Sequence, residues 1–161
     1  MFSVKGPKGE VKKLFQNPRL EIKAEGDKIT IKCESKNTTV RDKRSINSIE
    51  SHIKNLLIGV VEGYHAKVKV LSGHFPMTAN IEGNVVSVKN FLGEKVPRKT
   101  TIMPGVKAVI QGDIISLDGI DKEAVAQSAA KIETMTRITN KDRRVFQDGC
   151  YIIEKPGNRK I

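Results

Sequence analysis

Apolar and polar residues alternate through residues 20–33, with Leu20, Ile22 and Ala24 on one side of Glu25-Gly26-Asp27 and Ile29, Ile31 and Cys33 on the other. A period of two buries one face of a strand and wets the other, so two such runs around a Gly-Asp turn predict a β-hairpin. The pattern returns at residues 106–117: Val106, Ala108 and Ile110 precede Gln111-Gly112-Asp113, then Ile115 and Leu117 follow. Each hairpin leads into apolar residues three and four apart. These are Ile46, Ile49, Ile53, Leu56 or Leu57 and Val60 in the first half, and Val125, Ala129, Ile132 and Met135 in the second. That spacing draws one buried stripe along a helix. Asp121 is placed to cap the second helix, and Gly63 to end the first in a left-handed turn. The alternating AKVKVL at 66–71 predicts a further strand.

Ahead of both hairpins stands a repeated phrase. Ser3-Val4-Lys5, Gly9 and Glu10 recur as Ser87-Val88-Lys89, Gly93 and Glu94. Each half therefore reads as strand, SVK loop, hairpin, helix, which points to an internal duplication. The expected fold class is α+β: two tandem similar domains, each a small, mainly antiparallel sheet covered by one helix. The boundary is expected near Ser72-Gly73, giving domains 1–72 and 73–161. A full strand, His74 to Gly83, precedes the second turn, whereas only Met1-Phe2 precede Ser3, so the first repeat is expected to lack its first strand.

Charge adds a partner to this picture. The 29 Lys and Arg outweigh 18 Asp and Glu for a formal +11, and a surface of that sign attracts polyanions. Residues 1–72 carry 15 basic and 8 acidic side chains, net +7, and residues 73–161 carry 14 and 10, net +4. An excess spread over both halves suits a folded body that meets its partner on more than one face. No apolar run approaches the roughly 20 residues that span a bilayer, nor is there a signal-peptide stretch at the N-terminus. The two cysteines, Cys33 and Cys150, read as small buried apolar residues of a reduced, cytosolic protein.

Candidate catalytic chemistry is thin. Asp113, Asp118, Asp121 and Glu123 crowd one stretch, but Asp113 sits in a hairpin turn and Asp121 at a cap. His52, His65 and His74 lack partners at ligand spacing, and the cysteines form no C-x-x-C pair, so no metal is expected. Gly6-Pro7-Lys8-Gly9 lacks the spacing of a phosphate loop and reads as a tight turn displaying lysine. No nucleophile setting is recognisable and no cofactor or small-molecule substrate is implied.

GHFPMTANIEGNVVSVKNFLGEKVPRKTTI, QGDIISLDGIDKEAVAQSAAKIE and NKDRRVFQDGCYI together resemble the archaeal and eukaryotic type of the large-subunit ribosomal protein L six family, called L nine in eukaryotic naming. The most specific pieces are HFPM, NFLGEK, GVVEGY at 59–64 and DRRVFQDG at 142–149. The resemblance spans essentially the whole chain. It implies two tandem α+β domains and a non-catalytic place in the large ribosomal subunit. Expected partners are large-subunit rRNA near the stalk base and sarcin–ricin loop, where translation factors dock, and neighbouring ribosomal proteins. The rival reading is an RNA-binding or RNA-chaperone module outside the ribosome.

With no Trp, two Tyr and five Phe, the chain has few platforms for stacking single-stranded bases, which directs attention to phosphates, riboses and helix shape. Basic residues at turns and element ends are the candidates: Lys89, Lys95, Arg98, Lys99, Lys141, Arg143, Arg144, Arg159 and Lys160. The runs KVPRKTT and NKDRR lead that set, and the resemblance likewise puts the main RNA-binding surface in the second domain.

Overall fold

The computed structural model describes residues 2–15, 19–25, 28–33 and 39–157. They fall into two compact units, Met1–Val61 and Glu62–Ile161.

The first unit runs β1 (Phe2–Gly6), β2 (Gly9–Lys13), β3 (Leu20–Glu25), β4 (Lys28–Cys33) and α1 (Val40–Val61). Its strands form two antiparallel ribbons, β1 with β2 and β3 with β4. Pro7-Lys8 closes the first ribbon against the end of α1, where the Lys8 amide donates to the Val60 carbonyl at 3.1 Å. The approach is close: a Cβ on Gly6 would lie 2.9 Å from Val60 Cβ, which is why glycine stands there. Thr39 and Asp42 start α1 reciprocally. The Thr39 amide and hydroxyl donate to the Asp42 carboxylate at 2.9 and 2.7 Å, and the Asp42 amide donates back to the Thr39 hydroxyl at 3.3 Å. Ile49, Ile53, Leu56 and Val60 form the buried stripe, with Leu57 exposed.

The second unit runs β5 (Tyr64–Leu71), β6 (Thr78–Glu82), β7 (Val85–Lys89), a 3-10 turn at Phe91–Gly93, β8 (Arg98–Thr101), β9 (Val106–Gln111), β10 (Ile114–Gly119), α2 (Lys122–Met135) and β11 (Gly149–Glu154). Its larger sheet has the order β11-β5-β10-β9, antiparallel throughout, and its smaller one the order β6-β7-β8. Strict alternation along β5 buries Tyr64, Ala66, Val68 and Val70. The Asp121 side chain accepts from the Glu123 amide at 3.0 Å and caps α2, whose Val125, Ala129 and Ile132 pack inward onto the sheets. Gly112, at φ 59, turns β9 into β10, and Gly63, at φ 76, ends the segment after α1 as its sequence position predicts.

Three expectations change. The unit boundary lies at Val61/Glu62 rather than Ser72-Gly73, because β5 is the inner strand between β10 and β11 and belongs to the second unit. The SVK segments are not loops: Ser3-Val4-Lys5 and Ser87-Val88-Lys89 lie within β1 and β7. Cys150 is buried but Cys33 only half so, and both are free thiols. The shared run of elements is then β1, β2, β3, β4, α1 against β7, β8, β9, β10, α2. In the second unit β7 pairs with both β6 and β8, whereas among the described residues β1 pairs with β2 alone. The Gly26-Asp27 turn lies outside the described residues.

Candidate nucleic-acid interface

Three of the sequence's most distinctive phrases meet in one cluster of loops in the second unit. At its centre is Asp148, fully buried. Its Oδ1 accepts from the amides of Gly73 and His74 at 2.6 and 2.9 Å, and its Oδ2 faces His74 Nδ1 at 2.7 Å. Burial pushes this carboxyl up, but the His74 amide and imidazole and the Gly73 amide outweigh it and hold the group below its ordinary value. The His74 ring stacks on Phe146, centroids 4.9 Å apart, and Lys141 Nζ lies 4.6 Å from the same ring. HFPM is thereby fastened to DRRVFQDG.

The same loop is fastened to NFLGEK. Asn90 Nδ2 donates to the Pro76 carbonyl at 3.0 Å, and Gly93 lies against the Phe75 ring. Asn90, Leu92 and Gly93 all take left-handed backbone, φ 60, 50 and 78, so the chain reverses tightly there. A leucine in that region is strained and is held by its surroundings. Beyond the turn, Arg98 Nε and Nη2 grip both oxygens of Glu94 at 2.8 and 2.6 Å, and Nη1 donates to the Met135 carbonyl at 2.8 Å. The guanidinium stacks 4.3 Å above Phe91 and holds the Glu94 carboxyl below the usual carboxylate range. Arg98 closes the C-terminal end of α2 and ties it to the 90–98 loop.

The nine candidate residues therefore separate by role. Lys89, Lys95 and Lys99 are exposed and have no side-chain partner among the described residues, and the same holds for Arg143. Lys141 is exposed above Phe146. Arg144, 90% exposed, folds back on Asp142, whose carboxyl it lowers. Arg98 departs from expectation: at 31% exposed and with three donors engaged, it positions the cluster rather than facing outward. Arg159 and Lys160 lie outside the described residues.

Local spacing in the sequence does not reveal the carboxylate partners of two histidines. His74 meets Asp148, and His65 on β5 meets its cross-strand neighbour Asp118 on β10. These partners are 74 and 53 residues away. Glu94 stands four residues before Arg98, a spacing that signals an ion pair on a helix but not in this non-helical segment. Among the described residues no group of three His, Cys, Asp or Glu is placed to hold a metal ion. Nor, among them, is any helix long and apolar enough to cross a membrane.

These features define an α+β protein whose distinctive residues organise a cluster of loops. The family model for ribosomal protein L6 matches residues 75–149, the span that contains most of the loop cluster. The large ribosomal subunit protein uL6 of Haloarcula marismortui is 42% identical over 96% of this chain and 85% of its own length. That of Methanosarcina mazei is 41% identical over 96% and 87%, and that of Ignicoccus hospitalis 40% over 92% and 82%. The chain belongs to the ribosomal protein L6 family, whose members are structural proteins of the large ribosomal subunit and not enzymes.

Proposed function

We propose that this chain, a cytoplasmic large-subunit ribosomal protein, binds large-subunit rRNA near the stalk base and the sarcin–ricin loop and supports the region where translation factors dock. Its second unit carries the main contact. Neighbouring proteins at the stalk base complete the site. One observation carries the reading: residues 73–76 fasten two basic segments, 89–99 and 141–144, into one cluster, and its outer cations Lys89, Lys95, Lys99 and Arg143 have no side-chain partners among the described residues. Cations held by a rigid loop cluster meet phosphates without first being ordered, which favours anchoring over diffuse attraction. The first unit has the larger net charge, but long-range attraction is screened within about 8–10 Å at physiological salt.

The test is large-subunit co-sedimentation of two variants, Lys89, Lys95, Lys99 and Lys141 to Ala, and Lys12, Lys23, Lys28 and Lys32 to Ala. The first should be lost from the subunit at moderate salt and the second retained. Binding of an rRNA fragment should weaken with salt, each lost phosphate contact lowering the slope by about 0.7–0.9. The opposite pattern of retention would move the RNA face to the first unit.

A further inference from the structure

Where the C-terminal end of α2 approaches β11, the surface opens into a recess of about 280 Å³ lined by Glu133, Thr134, Arg137, Ile138, Arg143 and Tyr151. Its walls differ in kind. Ile138 is buried and the Tyr151 ring half-buried, giving the recess apolar surface. Arg137 and Arg143 are exposed, and neither guanidinium has a partner among the described residues. Glu133 spends one oxygen on a long 3.4 Å bond from the Ile152 amide, yet pairs with neither arginine. A carboxylate and two planar cations thus share a recess without neutralising one another, beside an aromatic face.

We propose that this recess receives one unpaired guanine of the bound RNA, a site that deepens the RNA-binding reading above and rests on it. An ionised carboxylate only accepts hydrogen bonds, so it selects an edge that presents donors. Guanine alone among the neutral bases offers two adjacent donors, N1–H and the 2-amino group. Adenine and cytosine set an acceptor beside their amino group, and uracil flanks its single N–H with two carbonyls. Bases lifted from the stack are commonly held on aromatic rings or guanidinium planes and read along the Watson–Crick edge. Glu133 reads that edge, Tyr151 supplies a ring, and Arg137 and Arg143 take the base plane and the attached phosphate. Residues of α2, β11 and the 137–143 loop thereby add base discrimination to contacts otherwise blind to sequence.

The full chain titrated with 5′-GMP, 5′-IMP and 5′-AMP, followed by NMR at the amides of Thr134, Ile138 and Tyr151, tests this. GMP should shift these amides at about tenfold lower concentration than AMP, with IMP, which lacks the 2-amino group, in between. Glu133→Gln keeps an acceptor for the Ile152 amide and should abolish the preference for GMP while leaving AMP unchanged. Arg137→Ala, at an exposed side chain without a partner among the described residues, should weaken all three. Equal titrations, no shift at these amides, or a preference that survives Glu133→Gln would overturn the assignment. Should that happen while the loop-charge variant still leaves the large subunit, the recess falls and the RNA-binding reading stands. Guanine preference together with full retention of that variant in the subunit would keep the recess and remove the loop-cluster reading.

Discussion

Among the described residues of the first unit, the buried apolar side chains Ile49, Ile53, Leu56 and Val60 all belong to α1. Val4 and Val11, paired across the β1–β2 ribbon, are only half-buried. In the second unit the same run of elements buries Val86 and Val88 on β7, Ile115 and Leu117 on β10, and Val125 and Ile132 on α2. The difference follows from three strands without a counterpart among the described residues of the first unit. β5 and β11 extend the hairpin β9–β10 into a four-stranded sheet, and β6 covers the edge of β7. A ribbon with one helix over it keeps a wet face; added strands give the helix a broader floor and the sheet a core. The broader sheets of the second unit give its loops a firmer footing than a two-stranded ribbon provides.

Replacing the matched helix residues should break or sharpen that contrast most. Ile132→Ala is expected to cost about 4 kcal/mol and Leu56→Ala about 2–3 kcal/mol, because the cavity in the second unit has less room to collapse. Both tyrosines, Tyr64 and Tyr151, lie in the second unit, so tyrosine fluorescence follows that unit alone in a denaturant titration while circular dichroism follows both. Equal costs would mean that the two cores are equally tight.

The buried carboxylates give the next pair. Asp148→Ala strands two backbone donors and His74, and should cost about 3 kcal/mol by the tyrosine signal. Its folded value lies below the ordinary 3.8, so its stabilisation is complete at neutral pH and disappears as pH falls through the folded value. Asp148→Asn should flatten that acid loss, measured as unfolding midpoints between neutral pH and about pH 3. Arg98→Lys, which forfeits the two-pronged grip on Glu94, should cost about 1–2 kcal/mol, against less than about 0.5 for Lys99→Ala. Among the carboxylates the smaller effect belongs to the first unit. Asp42→Ala removes a local cap and should cost about 1 kcal/mol, read by helical circular dichroism.

How much of the fold is legible in the sequence depends on range. The hairpins, the helical stripes, the Asp121 cap and the Gly63 turn are set by residues within one or two turns of each other, and each can be read directly. The start of α1 cannot, since the polar VRDKRS carries no apolar stripe and only Thr39 and Asp42 mark it. β5 is recognisable as a strand but not assignable to its unit, because alternation reports a buried face and not which neighbour pairs with it. At the candidate interface the segments 95–99 and 141–144 stand out by charge. Arg98 stands out with them because charge alone does not distinguish an arginine that faces outward from one gripping a glutamate. Asp148 and His74 are invisible as a pair for the same reason as β5: their partnership is made by the fold, across a separation that no local pattern spans.

The pairing of β5 with β11 also has a temporal meaning. A chain made from its N-terminus exposes Val68 and Val70 well before Ile115 on β10 exists to pair beside them, and Leu71 meets Gly149 only after all the strands between β5 and β11 have been made. The second unit thus resists early folding: contacts of such sequence separation form slowly and reward the chain late. The first unit, whose ribbons and helix are all local, is finished by then. The second must wait until β11 has been made, so the unit with the broader sheet is also the later of the two to mature.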